Sequence, residues 1–259
     1  MAEESRARNF RQRLVTILTK TSHASAPFIT TFLLIHLSAP VMANAGGSSL
    51  SSRVMLLGRE YYQTAIGEPY LVLAPLAVHA LSGIVRRALI VYPRLNNFVF
   101  PITTLSVTAY SVLLLLPIHF GIHRILPTTP SSPVLSLGPS ELDHSFVQFG
   151  LQHWPIRTWA MYTALVGATI AHAVEGARVL MGSSNPTIST SNLQSTEKSS
   201  QDSLESTNAR LHRKLLAVAL TVPVLSGLYF LYAEPLYIFP DIARRLEGVY
   251  QLSWIYRTR

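Results

Sequence analysis

Two apolar stretches of this chain repeat one pattern that could do chemistry. The first is His79-Ala80-Leu81-Ser82-Gly83 with Arg86 and Arg87 behind it, and the second is His172-Ala173-Val174-Glu175-Gly176 followed by Arg178. An imidazole in hydrocarbon is unfavourable unless it faces the interior of a helix bundle and finds a partner there. Histidine and glycine four apart share a helical face, where the missing side chain lets a flat ring or another backbone come close. Two chemistries fit: axial ligation of a haem, and close helix packing with the imidazole as hydrogen-bonding glue. Both make Gly83 and Gly176 part of a close-packing face. The arginines fall near one end of each stretch, where a long cationic side chain reaches the headgroups.

Depth sorts the histidines. Counting along ideal helices puts His36 roughly 13 Å and His79 roughly 15 Å from the far membrane surface, so the two sit level. Level histidines on adjacent antiparallel helices match a bis-histidine haem b, which needs imidazoles on opposite sides of one porphyrin. His172 is a third possible ligand, although at roughly 22 Å it is not level with His119 at about 5 Å. His119 and His123, at i and i+4, could ligate a metal but lack an obvious third ligand. His144 reads as a loop residue. Histidines hydrogen-bonded to each other across helices remain the alternative for His36 and His79.

These residues need membrane helices to position them. Hydrophobic residues make up 49% of the 259 positions, charged residues only 13%, and mean hydropathy is +0.30, well below the charged share of about 25% in soluble domains. Spans of about 20 residues are expected near Ala24 to Ala45, Pro69 to Tyr92, Phe98 to His123, Arg157 to Met181 and Lys214 to Phe239. The fold class expected is an all-α integral membrane bundle of about five transmembrane helices. Its parts are a cytosolic basic amphipathic tail at 1–23, a four-helix core at 24–181, a disordered polar loop at 182–212, a fifth span at 213–239 and an interfacial tail at 240–259.

The tail carries Phe10, Leu14, Ile17 and Leu18 at helical spacing among arginines, as a helix lying on a membrane does. Gly182 to Thr207 is rich in Ser, Thr, Asn and Gln, the composition of a solvated linker. Ser140 is placed to cap a short helix through Gly150, with Trp154 and Trp159 as interfacial anchors. After Pro240, the residues Ile242, Leu246 and Val249, with Trp254 and Tyr256, suggest a surface helix. Of the 21 lysines and arginines, 13 fall on the side of the N-terminus and 8 on the other. That bias favours a cytosolic N-terminus and a C-terminus on the far side. The net charge of +8 suits anionic lipid headgroups. The basic residues are scattered at span ends rather than gathered on one polar face, which argues against nucleic acid. With no cysteine, disulfides, thiolate metal sites and iron–sulfur ligation are excluded.

The run His172-x-x-x-Gly176-x-Arg178-x-Leu180 resembles the haem-ligand span of succinate dehydrogenase and fumarate reductase cytochrome b subunits, with Val179 where that pattern has a second histidine. A fuller resemblance, over nearly the whole chain, is to the fungal Mdm-complementing protein family of mitochondrial outer-membrane proteins. It rests on the five-span layout, Ile35-His36, the His79 to Gly83 run, the Phe146 to Pro155 lead-in and the His172 to Gly176 run. This resemblance implies a role in mitochondrial lipid homeostasis and at membrane contact sites, with membrane lipids as partners. It also implies recruitment of a chorein-type, bridge-like lipid-transfer protein through an N-terminal Pro-x-Pro motif, and raises lipid scrambling by the spans. Residues 1–23 contain no proline, so this chain departs from the family at that motif. The expectation is a non-enzymatic multi-pass protein of the mitochondrial outer membrane. The rival is a b-type cytochrome or redox anchor subunit.

Overall fold

The computed structural model describes residues 2–91, 102–183 and 198–257. Seven α-helices among the described residues carry the fold: α1 Ala2–Tyr62, α2 Ala74–Val91, α3 Thr104–Phe120, α4 His144–His153, α5 Pro155–Ser183, α6 Lys198–Ala233 and α7 Pro240–Leu252. Among the described residues there is no strand. Five helical stretches among the described residues are long and apolar enough to cross a membrane: Ser5–Tyr62, Gly67–Val91, Thr104–Thr128, Pro155–Gly182 and Asn208–Ala233. The expected five-span, all-α class is therefore what the chain adopts. The start of the expected third span, residues 98 to 101, lies outside the described residues.

Helix α1 departs most from expectation. It runs from Ala2 to a break at Gly46 and Gly47 with no interruption near residue 24, so the basic tail and the first span are one helix. At 1.5 Å per residue that limb is about 66 Å long, against a hydrocarbon core of about 30 Å. Thr30 and Thr31, which dilute its hydropathy, return their hydroxyls to the carbonyls of Ala26 and Pro27 at 2.9 and 3.0 Å and so need no outside partner. Gly47 supplies the break with φ 59° and ψ −155°, a conformation open essentially to glycine. The second limb, to Tyr62, returns along the first, bringing Gly58 against Ile35 and Tyr62 against Phe32.

The chain divides into two compact units, Met1–Ala39 with Ser52–Thr103, and Pro40–Ser51 with Thr104–Arg259. In the first, α2 is preceded by a π-helical stretch, Gly67–Leu73. In the second, α5 packs against both α3 and α6, and α4 contacts α5, α6 and α7. α3 keeps Pro117 inside it and continues through a π-helical turn, Gly121–Ile125. Asp143, not Ser140, caps α4, accepting from the Ser145 amide at 2.8 Å.

Two further boundaries differ from the sequence reading. α6 begins at Lys198, so the latter part of the expected disordered loop is helical, while residues 184–197 lie outside the described residues. α6 also ends at Ala233 rather than near Phe239, because Pro235 disfavours a helical conformation in the residue before it and brings no amide of its own. The tail after Pro240 is not a helix laid on a surface by its apolar face. Leu246, Val249, Tyr250 and Tyr256 are fully buried within the second unit's core.

Candidate functional site

The His79 ring meets the first limb of α1: Nδ1 lies 3.1 Å from the Ser22 carbonyl oxygen, 3.3 Å from Ser22 Oγ and 3.2 Å from Ser25 Oγ. A carbonyl can only accept, so the Ser22 contact places the proton on Nδ1. His36 stacks on Phe32 with ring centroids 5.2 Å apart and meets the edge of Tyr62 at 5.9 Å. His79 is thus docked at the level of Ser22 and Ser25, whereas His36 lies about 16 to 21 Å further along the same helix at about 1.5 Å per residue. Two imidazoles cannot ligate one iron across that separation, and His36 is already faced by two aromatic rings. The residues do not fit a bis-histidine haem shared by His36 and His79. The level placement fails because it takes both helices to start at one membrane surface, whereas α1 runs on past residue 24.

His172 belongs to the second unit. Its Nδ1 stands 3.5 Å from Thr108 Oγ1 on α3, and that hydroxyl donates to the Thr104 carbonyl at 2.9 Å. One turn on, Glu175 pairs with Arg213 of α6 at 3.2 Å, both side chains largely shielded. α5 therefore uses His172 toward α3 and Glu175 toward α6. The expected close-packing role of Gly83 and Gly176 is not observed, since a Cβ added at either would meet nothing within 4 Å. One turn along from each histidine's contact the same face meets open space rather than a neighbouring helix, so sharing a face with the histidine does not bring the glycine into contact.

The tight glycine positions lie elsewhere. On α6, Gly227 faces the Pro40 carbonyl, with Asn44 beside it donating to the Pro223 carbonyl at 2.8 Å and accepting from the Ser226 hydroxyl at 2.7 Å. At the break in α1, both carboxylate oxygens of Glu234 accept from the Ser48 amide at 3.1 Å. Gln148 and Gln152 in turn donate to the Glu234 carbonyl at 2.7 and 2.9 Å, which accounts for a free carbonyl at the end of α6.

The densest polar and aromatic constellation is one that no sequence motif announced. Tyr162 of α5 meets His123 Nε2 through its hydroxyl at 2.9 Å, and the His119 and His123 rings lie 4.4 Å apart. Phe146 of α4 stacks on Tyr250 of α7 at 4.7 Å, and the Tyr250 hydroxyl donates to the Phe146 carbonyl at 2.9 Å. Trp154 packs against Tyr250 and Tyr256 at 5.2 and 5.6 Å rather than standing apart as a membrane anchor. Burial first, and then the neighbouring phenols of Tyr162 and Tyr256, hold the Tyr250 hydroxyl protonated far above its usual range. His144, expected in a loop, is buried and meets Ser51 at 3.3 Å. Among the described residues no group of three His, Cys, Asp or Glu side chains is placed to hold a metal. The arrangement is a hydrogen-bonded aromatic cap that locks the ends of α3, α5 and α6. The i, i+4 spacing of His119 and His123 and the Phe146 to Pro155 run are visible in the sequence, but their meeting is not, because the members come from helices far apart in sequence.

A clasp holds the loop beside this cap. Arg245 of α7 donates to the carbonyls of Val134 and Leu135 at 2.9 and 3.3 Å and to Glu141 at 2.8 Å, spanning residues Leu135 and Ser136 with φ of 55° and 51°. Backbone this unfavourable for non-glycine residues persists only where its surroundings hold it. The Gly138 amide chiefly, and the Arg245 guanidinium after it, lower the Glu141 carboxyl below its usual range against the opposing effect of partial burial. The clasp's electrostatic share is then complete above the unfolded carboxylate value of about 4.3 and is lost as pH falls through the lower folded value. Glu141 is largely open to solvent, so that share is under about 1 kcal/mol. Limited pepsin cleavage within residues 129–138 is expected to rise only below pH 4. Glu141→Gln should be cut no more than about five-fold faster than wild type above pH 4 and should lack that step when rates are referred to an unfolded control substrate at the same pH, and a wild-type step near pH 6 would contradict the assignment.

The family model described as the MDM10-complementing protein 1 transmembrane domain matches residues 114–229, which take in His119, His123, Phe146, Tyr162 and His172. No curated protein and no solved structure matches the chain.

Proposed function

We propose, from the premise that this chain carries the transmembrane domain of the MDM10-complementing protein 1 family and is a multi-pass membrane protein of that group, that it acts in lipid homeostasis and organelle contact at the mitochondrial outer membrane. The single observation that carries this reading is the family match over residues 114–229, from within α3 to within α6, helices that contribute to the second unit's core. In this reading the protein is not an enzyme. Its partners are membrane lipids and a chorein-type lipid-transfer protein, for which it serves as adaptor, or it scrambles lipids itself. Because residues 1–23 hold no proline, recruitment uses a surface other than an N-terminal Pro-x-Pro motif. The N-terminus faces the cytosol, in keeping with the distribution of 13 against 8 basic residues.

The test uses cells lacking the protein. A tagged chain is expected to fractionate with the mitochondrial outer membrane and to restore mitochondrial shape and phospholipid composition. Protease added to intact mitochondria is expected to cut between residues 182 and 207 and to spare a tag after Arg259. Residence in another membrane, or rescue of neither shape nor lipids, overturns the function, and loss of the C-terminal tag overturns the orientation.

A further inference from the structure

The segment that joins α6 to α7 alternates like a strand. Leu236 and Ile238 pack on the second unit's core, while Tyr237 and Phe239 between them are 88% and 81% exposed. Ile156 and Trp254, 85% and 73% exposed, belong to the same end of the unit. Trp254 is tied to the start of α5 because the next carbonyl, that of Ile255, accepts from the Arg157 guanidinium at 3.0 Å. The base beneath these side chains is firm, since α7 is anchored by fully buried Leu246, Val249 and Tyr250.

From this placement we infer that Tyr237, Phe239, Ile156 and Trp254 form a collar seated in the headgroup and acyl boundary of the leaflet at which α5 begins and α6 ends. Chain connectivity sets the depth. Ile156 is in the first turn of the span Pro155–Gly182, and Tyr237 and Phe239 come soon after the last helical residue of the span Asn208–Ala233. Four large apolar side chains cannot be left in water there at so small a distance from hydrocarbon without a strong pull toward it. Tyrosine and tryptophan favour this layer because it solvates a polar edge and an apolar ring together. Arg157 supplies a cation at the height of the lipid phosphates, and Arg244 near the start of α7 stands exposed beside Asp241, with which it pairs. The occupant is the lipid bilayer, reached through continuity with the lipid-facing spans. The collar depends only on membrane insertion and stands apart from the role in lipid homeostasis.

The chain has no cysteine, so single-cysteine variants of the full chain report position without background. Tyr237→Cys and Phe239→Cys, nitroxide-labelled in phosphatidylcholine and phosphatidylinositol nanodiscs, are compared with Ala219→Cys on the exposed face of the α6 span and Ser131→Cys on the exposed loop. Collision with a water-soluble nickel chelate at 237 and 239 is expected at least five-fold below that at 131, with oxygen collision between the values at 131 and 219. Nickel access equal to that at 131 would show that the collar faces water. Low access to both nickel and oxygen would show that protein covers it, and either outcome overturns the inference. A second measurement leaves the chain's fold untouched: lipids brominated near the headgroup should quench tryptophan fluorescence of the unaltered protein. Trp254→Phe should remove most of that quenching, and quenching unchanged by this variant also overturns the inference.

Discussion

Gly227→Leu is expected to destabilise the protein severely, while Gly83→Leu and Gly176→Leu are expected to leave its stability unchanged. A side chain at Gly227 would enter the space of the Pro40 carbonyl and crowd Asn44. The nearest obstacle is backbone rather than the far end of a flexible side chain, so the two segments must separate. Overpacking of this kind typically costs about 1 to 3 kcal/mol for modest insertions, and a leucine exceeds that. Separation also breaks the bonds from Asn44 to the Pro223 carbonyl and from Ser226 to Asn44. At Gly83 and Gly176 a Cβ meets open space, where hydrocarbon accepts leucine readily. Thermal unfolding in detergent and steady-state abundance in mitochondria measure the contrast. A Gly227→Leu protein as stable as wild type would show that the Pro40 crossing is absent, and instability of Gly83→Leu would return the packing role to the histidine motif.

Tyr250→Ala is expected to cost about 3 to 5 kcal/mol, the range for removing a buried aromatic side chain, and to expose the loop and α7 to protease together. Tyr250 is fully buried, ring-packed against Phe146, Trp154 and Tyr256, and donates to the Phe146 carbonyl. Tyr250→Phe keeps the rings and loses one hydrogen bond, worth about 1 kcal/mol. Gly150→Ala tests the same packing from the other side, since the added methyl would displace the Tyr250 hydroxyl. Unfolding midpoints should therefore fall in the order wild type, Tyr250→Phe, Tyr250→Ala. An alanine variant no less stable than the phenylalanine variant would mean that α7 is not part of the core.

Much of the fold is legible in the residues. Five apolar stretches are five spans because hydropathy and length are properties of each segment alone, set by the bilayer as solvent. Pro235 stops α6 by local stereochemistry, a stop that hydropathy passes over when it carries the fifth span to residue 239. Part of the family resemblance is legible too: the match over residues 114–229 covers the His172 run and the Phe146 lead-in, while Ile35-His36 and the His79 to Gly83 run lie outside it.

The pairings are not legible. His36 and His79 share composition and apparent depth, yet one faces Phe32 and Tyr62 and the other Ser22 and Ser25. Depth counted from a presumed surface has no way to register a helix that passes through it, nor the break at Gly46 and Gly47, where the chain turns back and the second limb packs along the first. Gly83 and Gly176 belong to the motif, but Gly227, in no motif, makes the contact. The sequence by itself determined the class of the protein, because spans need only apolar length, and few residues in each span's most apolar window are buried by the protein's own packing. Tertiary structure alone decided the cap: Tyr162, Tyr250, Phe146 and Trp154 become one core only when π-helical and proline-bounded helix ends bring distant segments to one place, and rotation and register between helices are relations of two segments that neither one encodes alone.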